Sequence, residues 1–299
     1  MPPDPRVLLG ALVLDWLAGE PPVACHPVVW MGWALDRCET WAPASGPGRR
    51  AYGMLVALSL PLGWAAVARV IERRVPWPLQ ALVLKPSLAG RALLAAGHEV
   101  EQSLGRGDLA GARAGLRALV SRPTAHLDGP LLAAAAIESL AENLVDSWVA
   151  PLLAFCGWGM AGAYAYRAAN TADAMWGYRS PRYAELGSGA ARLDDVLSWL
   201  PARLGAACLL LATSRRADAL AAWWHDARRT ASPNAGQVMA MAAGALGVRL
   251  EKRAHHVLHG QAPPPTSASL GQARRLVATA MALSAGLSVL LVLARRRRG

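Results

Sequence analysis

The chain of 299 residues has one phenylalanine, four cysteines and only 17% charged side chains. Lys85 and Lys252 are its only lysines among 31 basic residues. Each shortage narrows the field. With almost no phenylalanine, the apolar surfaces must be built from Ala, Leu, Val and Trp, mostly small and branched side chains that let helices approach closely. Cys25, Cys38, Cys156 and Cys208 form no CxxC pair, and are expected to be buried and reduced. The sparse charge, against 54% hydrophobic residues and a positive mean hydropathy, leans away from an ordinary soluble protein and towards the membrane class.

Several standard sites are missing as well. There is no GxxxxGK[ST] phosphate loop, no GxSxG elbow, no HExxH and no dinucleotide fingerprint. Any nucleotide is therefore held in a way the generic motifs do not reveal. The basic residues are dispersed and carry no helix-turn-helix, zinc-finger or RNA-binding signature, so nucleic acid is not an expected partner. No cleavable leader is expected either, since Asp4 and Arg6 open the chain and Asp15 breaks the apolar stretch that follows.

What is present is a formal charge of +11, carried almost wholly by arginine. The planar guanidinium fork suits phosphate and carboxylate, and cytoplasmic anchoring charges account equally well for many of these residues. A helix crossing the hydrocarbon core needs about 20 apolar residues. Residues 51–68, 147–166 and 276–294 are uncharged runs of near that length, and 7–35 and 196–213 are weaker ones. The reading is an all-α, polytopic integral membrane protein, one domain over 1–299, with amphipathic cytoplasmic helices. Spans are expected near 7–35, 51–71, 147–166, 196–213 and 276–294. Arg295 to Arg298 place the carboxyl end in the cytoplasm of a multi-pass protein of the cell (inner) membrane. Pro61 and Pro151 would kink their helices unless neighbours satisfy the freed carbonyls. Asp108 is the expected cap of a helix carrying Leu109, Ala112, Leu116 and Leu119 at helical spacing.

The chemistry concentrates in a few segments. In LLAAAAIESLAENLVDSWVA (131–150), Glu138, Glu142 and Asp146 fall at i, i+4 and i+8. On a regular helix they share an arc of about 80°. Such a stripe beside an uncharged run needs a positive partner: arginine from elsewhere, Mg²⁺ or a substrate. Asn143 adds an amide beside it. After the run come Asn170 and Asp173 at i, i+3, then a turn presenting Tyr178, Arg179, Arg182 and Tyr183. Asp194 and Asp195 follow, with Asp195, Trp199 and Arg203 at helical spacing, which an ion pair of Asp195 with Arg203 would explain. Near the start, Glu20-Pro21-Pro22 makes a rigid turn that projects His26. Ser232-Pro233-Asn234-Ala235-Gly236 is a polar turn at a helix start, suited to an anion. His255, His256 and His259 have metal-like spacing, but no neighbouring Glu or Cys in the sequence completes a site.

Six of these segments, in this order, resemble the CobD/CbiB family of cobalamin biosynthesis: GEPP-x3-HPV (19–28), RGDL-x-x-AR (106–113), AAIESLAEN-x-x-D (135–146), YR-x-x-NT-x-D-x-M-x-GYR (166–179), ARLDD with LPARL (191–204), and SPNAG through AGALGVRL (232–250). The resemblance covers nearly the whole chain. It departs from the family pattern at Glu20, Trp33, Leu144 and Ser147, where the family favours Asp, Arg, Thr and Gly. What it implies is an adenosylcobinamide-phosphate synthase. This is an ATP-dependent, amide-forming ligase joining adenosylcobyric acid to (R)-1-aminopropan-2-ol O-phosphate or a similar aminoalcohol.

The resemblance further implies Mg²⁺ and ATP as cofactors and the corrinoid as substrate. The lipid bilayer and other cobalamin-assembly enzymes are the implied partners. A carboxylate must be activated, for instance as an acyl phosphate, and the amine must lose a proton as it attacks. On this reading Glu138, Glu142 and Asp146 serve Mg²⁺ or amine recognition, and Asp173 and Asp194 serve metal or general-base work. Arg179, Arg182 and Arg203 hold phosphate or propionate, with Asn143, Asn170, Tyr178, Asp195, His26, Ser232 and Asn234 lining the substrates. The competing class is a transport or signalling membrane protein whose acids line a pathway; no inverted repeat supports it.

Overall fold

The computed structural model describes residues 3–298. It is all-helical except for one small hairpin. In chain order the helices are α1 (Pro5–Ala18), α2 (Pro27–Thr40), α3 (Gly46–Arg74), α4 (Trp77–Leu84), α5 (Gly90–Gly105), α6 (Leu109–Leu116) and α7 (Gly129–Leu144). A π turn (Val145–Val149) leads into α8 (Ala150–Trp158) and α9 (Met160–Trp176), followed by α10 (Ser188–Leu197), α11 (Trp199–Ala212), α12 (Arg216–Asp226) and α13 (Ala235–Leu246). The antiparallel strands β1 (Leu250–Lys252) and β2 (His256–Leu258) precede α14 (Ser267–Arg298), and were not expected from the sequence.

The chain divides into two compact units. The first takes the chain as far as Ala89, then Asp146–Ser198 and the segment from Ala285 onward; the second takes Gly90–Val145 and Trp199–Ser284. In the first unit α9 packs against α2, α3, α8 and α10, and α1 lies on α4. Its core joins Leu35, Val56, Ala57, Ala172, Trp176, Leu186 and Ala190. In the second unit α5 packs on α6 and α7, α12 and α11 pack on α13, and β1 lies along α7. Asp108 caps α6 as the sequence predicts, its Oδ1 accepting from Gly111 N at 2.8 Å.

Two described helices, α3 and α14, are long and apolar enough to cross a membrane, and the pair α10 and α11 passes the same test when taken together. The runs 51–71 and 276–294 lie inside α3 and α14, and 196–213 falls largely on α11. The other two expected spans are not single helices. Residues 7–35 are interrupted by the turn at Gly19 to His26. Residues 147–166 are interrupted at Gly159, whose φ of 67° is a left-handed conformation that glycine adopts without a steric cost. Glu72 Oε1 accepts from Met160 N at 3.1 Å, capping the helix that restarts there. A break at Ser198 likewise separates Asp195 from Trp199 and Arg203, so these three do not share one continuous helical face. Cys25 is exposed and Cys38 is half-buried, against the expectation of four buried thiols; only Cys156 and Cys208 meet it.

Close approach within the first unit depends on Gly53 of α3, which lies against the Leu186 carbonyl; a Cβ there would collide with that oxygen. Backbone cannot yield as a flexible side chain does. Gly53→Ala is expected to destabilise the protein by about 1–3 kcal/mol through overpacking, read as a lower Tm in detergent. An unchanged Tm would show that this contact is not close in solution.

Candidate functional site

The site grows out of one proline. Pro151 has no N–H, so the Ser147 carbonyl, four residues before it, loses its usual donor. The chain widens into the π turn at Val145–Val149, and other groups fill in. Ala89 N donates to Ser147 O at 3.1 Å, and Arg167 Nη1 donates to Asp146 O at 2.9 Å. An arginine from α9 is thereby held at the acid-bearing turn. π turns recur at functional sites.

Helix α9 sets Tyr166, Asn170 and Asp173 at i, i+4 and i+7, with Arg167 beside them. Arg167 Nη1 also donates to Asn170 Oδ1 at 3.2 Å, and Asn170 Nδ2 donates to Asp194 Oδ1 at 3.2 Å. Ser198 Oγ donates to Asp194 Oδ2 at 3.3 Å and lies 3.0 Å from the Tyr166 hydroxyl. That hydroxyl is 3.4 Å from Asp146 Oδ1. Asp146, Asn170 and Asp194 therefore meet in one hydrogen-bonded chain through Arg167, Tyr166 and Ser198. The Arg167 guanidinium lies in the field of Asp146, Glu20 and Asp194.

Glu20 belongs to a second arrangement in the same unit. Its Oε1 is 2.8 Å from Lys85 Nζ, and Lys85 Nζ is 3.5 Å from Asp15 Oδ1, with side-chain exposures of 4% and 0%. His26 caps α2, its Nδ1 accepting from Val28 N at 3.2 Å, which leaves Nε2 as the N–H that donates to Glu20 Oε2 at 3.1 Å. The expected turn at Glu20 is therefore an ion-paired corner, and His26 is oriented by it.

The loop after α9 carries Tyr178 and Arg179 on the surface. Arg182 Nε donates to Glu39 Oε1 at 2.7 Å, which raises the guanidinium pKa further. Its guanidinium also stacks 5.0 Å over the Tyr183 ring. Asp173 sits at the carboxyl end of α9, where its carbonyl accepts from Gly177 N at 2.6 Å.

The second unit holds the rest of the sequence candidates. Glu138 is buried at 5% exposure, with its Oε1 2.8 Å from His256 Nε2 and its Oε2 3.5 Å from Arg122 Nη2. Glu142 is exposed, and Asn143 Nδ2 turns back to Ser139 O at 3.0 Å. The regular helix that places Glu138 and Glu142 on one stripe ends at Leu144, so the even spacing predicted for Asp146 is replaced by the π turn. Arg203 Nη1 donates to Trp199 O at 2.7 Å and to Asn234 Oδ1 at 3.2 Å. Ser232 Oγ accepts from Asn234 N at 3.2 Å in the turn that opens α13.

Sequence reasoning did not single out Arg167, Ser198, Lys85 and Asp15, and set aside a metal reading of His256 for want of a neighbouring Glu or Cys. Among the described residues no three His, Cys, Asp or Glu side chains gather where a metal ion would sit. His256 meets Glu138 instead, because the β-hairpin folds back onto α7. Replacing His256 by Leu takes one partner from a buried carboxylate and is expected to cost about 1–3 kcal/mol. Chemical denaturation in detergent would read the loss, and a shift below about 0.5 kcal/mol would show the pair to be incidental.

The model of CobD/CbiB proteins matches residues 8–285. A "Cobalamin biosynthesis protein CobD" of Dehalococcoides mccartyi is 41% identical, covering 84% of this chain and 85% of its own. One of Mycobacterium tuberculosis is 40% identical over 98% and 96%, and a "Probable cobalamin biosynthesis protein CobD" of Methanothrix thermoacetophila is 36% identical over 97% of each. No solved structure matches the chain.

Proposed function

We propose, from the premise that this chain belongs to the CobD/CbiB family and so has a role in cobalamin biosynthesis, that it is the membrane-embedded, ATP-dependent ligase of the pathway. It joins the propionate of adenosylcobyric acid to (R)-1-aminopropan-2-ol O-phosphate or a similar aminoalcohol, giving adenosylcobinamide phosphate. The observation that carries the reading is the convergence of Asp146, Asn170 and Asp194 on one hydrogen-bonded chain with Arg167. An acid–amide–arginine set of this kind suits carboxyl activation and attack by an amine.

The donor set fits the cofactors. Mg²⁺ takes oxygen ligands and is commonly held by one or two carboxylates together with nucleotide phosphates and water, so it needs no dedicated protein cage. Asp146 and Asp194 supply such carboxylates, while Asn170 and Ser198 orient Asp194. Bound Mg²⁺ and ATP would supply the activation of the propionate carboxyl. Arg167 faces the phosphate or propionate charge, and Asp194 or Asp173 takes the proton lost by the attacking amine. The exposed apolar residues of α3, among them Leu55, Leu58 and Leu62, support multi-pass insertion in the cell membrane. The arginines from Arg295 onward support a cytoplasmic carboxyl end.

The test is direct. Protein purified in detergent is incubated with adenosylcobyric acid, the aminoalcohol phosphate, ATP and Mg²⁺, and the corrinoids are resolved by mass spectrometry. Product that requires both ATP and the amine is expected. Unchanged corrinoid, from protein that remains folded, would remove the ligase reading and leave the transport or signalling class.

A further inference from the structure

Beside the ion-paired corner lies a cavity of about 380 Å³ that the ligase reading does not use. Its walls include Trp30, Trp64, Ile71, Val83, Tyr164 and the exposed Cys25. The lining is almost wholly apolar, because the one hydroxyl among these, on Tyr164, is committed to the Val83 carbonyl at 2.5 Å. The volume falls within the range of small-molecule sites, roughly 300–1,000 Å³. An apolar wall of this kind offers water few polar partners.

The nature of the occupant follows from the wall. Trp64, Val67, Ala68 and Ile71 all line the cavity from α3 at i, i+3, i+4 and i+7, one face of that helix. Helix α3 is one of the two described helices able to cross a membrane, with only 22% of its apolar window buried. Val67 is itself 52% exposed, and Leu55, Leu58, Leu62 and Val70 are further exposed apolar residues of the same helix, the three leucines on its opposite side. Val67 thus belongs both to the cavity wall and to the exposed apolar surface that hydrocarbon would cover.

We propose that this cavity is a binding site for one acyl chain of a bilayer phospholipid. The inference rests on the membrane reading of α3. Its consequence reaches the polar corner, for Pro21, Cys25 and Pro27 line the cavity and flank Glu20 and His26 in the chain. A chain seated there braces the turn that holds Glu20 between Lys85 and His26.

The experiment uses the full chain in nanodiscs containing a phospholipid whose acyl chain bears a photoreactive diazirine. Peptide mapping after irradiation is expected to find label on Trp30, Ile71 or Val83 as well as on Leu58 and Leu62. In Val67→Trp, a substitution at an exposed position, the cavity label should fall about tenfold, as it would for a 1.4 kcal/mol loss of affinity, while label on Leu58 and Leu62 stays. Label on Leu58 and Leu62 alone in the unaltered protein overturns the acyl-chain site and keeps the membrane reading. Absence of label from all five positions overturns both. Undiminished cavity label in Val67→Trp, or in the milder Val67→Phe, also counts against the site.

Discussion

Asp194→Asn is expected to lower kcat/KM for ATP- and amine-dependent conversion of adenosylcobyric acid by about 10²–10⁴-fold, the usual worth of a positioned acid–base group. The substitution keeps the shape and the hydrogen-bonding reach of the side chain. It removes the charge that a metal or a departing amine proton would need. Asn170 and Ser198 both donate to this carboxylate, so the replaced amide group still has partners and the local fold is retained. Membrane expression and Tm should therefore hold while turnover falls. Asn170→Ala, which removes a positioning contact to Asp194, should give a smaller loss, about 10-fold by the worth of one such hydrogen bond. Near-normal turnover in Asp194→Asn would remove this residue from the chemistry and return attention to Asp173 and to Glu138 of the second unit.

The residues around Asp194 show what a single sequence can disclose. Asn170, Asp173, Asp194 and Glu138 stood out as candidates because acids and amides contrast with Ala-rich helices, although the π turn breaks the stripe before Asp146. Their helical spacing could also be counted. Arg167 was visible in the same motif but not distinguishable from 28 other arginines, because its task depends on a backbone carbonyl of the π turn that precedes Pro151. The missing proline N–H was predictable, and so was the need for substitute donors. That Ala89 supplies one, and that Arg167 reaches the adjacent Asp146 carbonyl, is a tertiary fact. The same limit applied to the long helices: Gly159 and Ser198 interrupt runs that are uniformly apolar or helical in pattern, and composition alone does not locate a left-handed glycine. The pairing of His256 with Glu138 joins positions 118 residues apart, beyond any local periodicity.

Lys85 offered a signal that composition did contain: one of two lysines in a chain that otherwise relies on arginine. Asp15, interrupting an apolar run, was the other half. Lys85→Met keeps most of the side-chain volume and removes the charge, leaving Asp15 and Glu20 in a corner where Lys85 and Asp15 side chains are 4% and 0% exposed. Breaking one partner of a buried ion pair costs about 3–5 kcal/mol, because the remaining charge stays out of water. At roughly 2–4 °C per kcal/mol, the expected fall in Tm is about 6–20 °C. The double variant Asp15→Asn with Lys85→Met removes both charges of the pair and should recover part of that loss, since buried pairs are often replaceable as pairs. If Lys85→Met alone leaves Tm unchanged, the corner is open to water. If the double variant is no better than the single, the cost lies with Glu20, which then depends on Lys85 to hold its carboxylate towards His26.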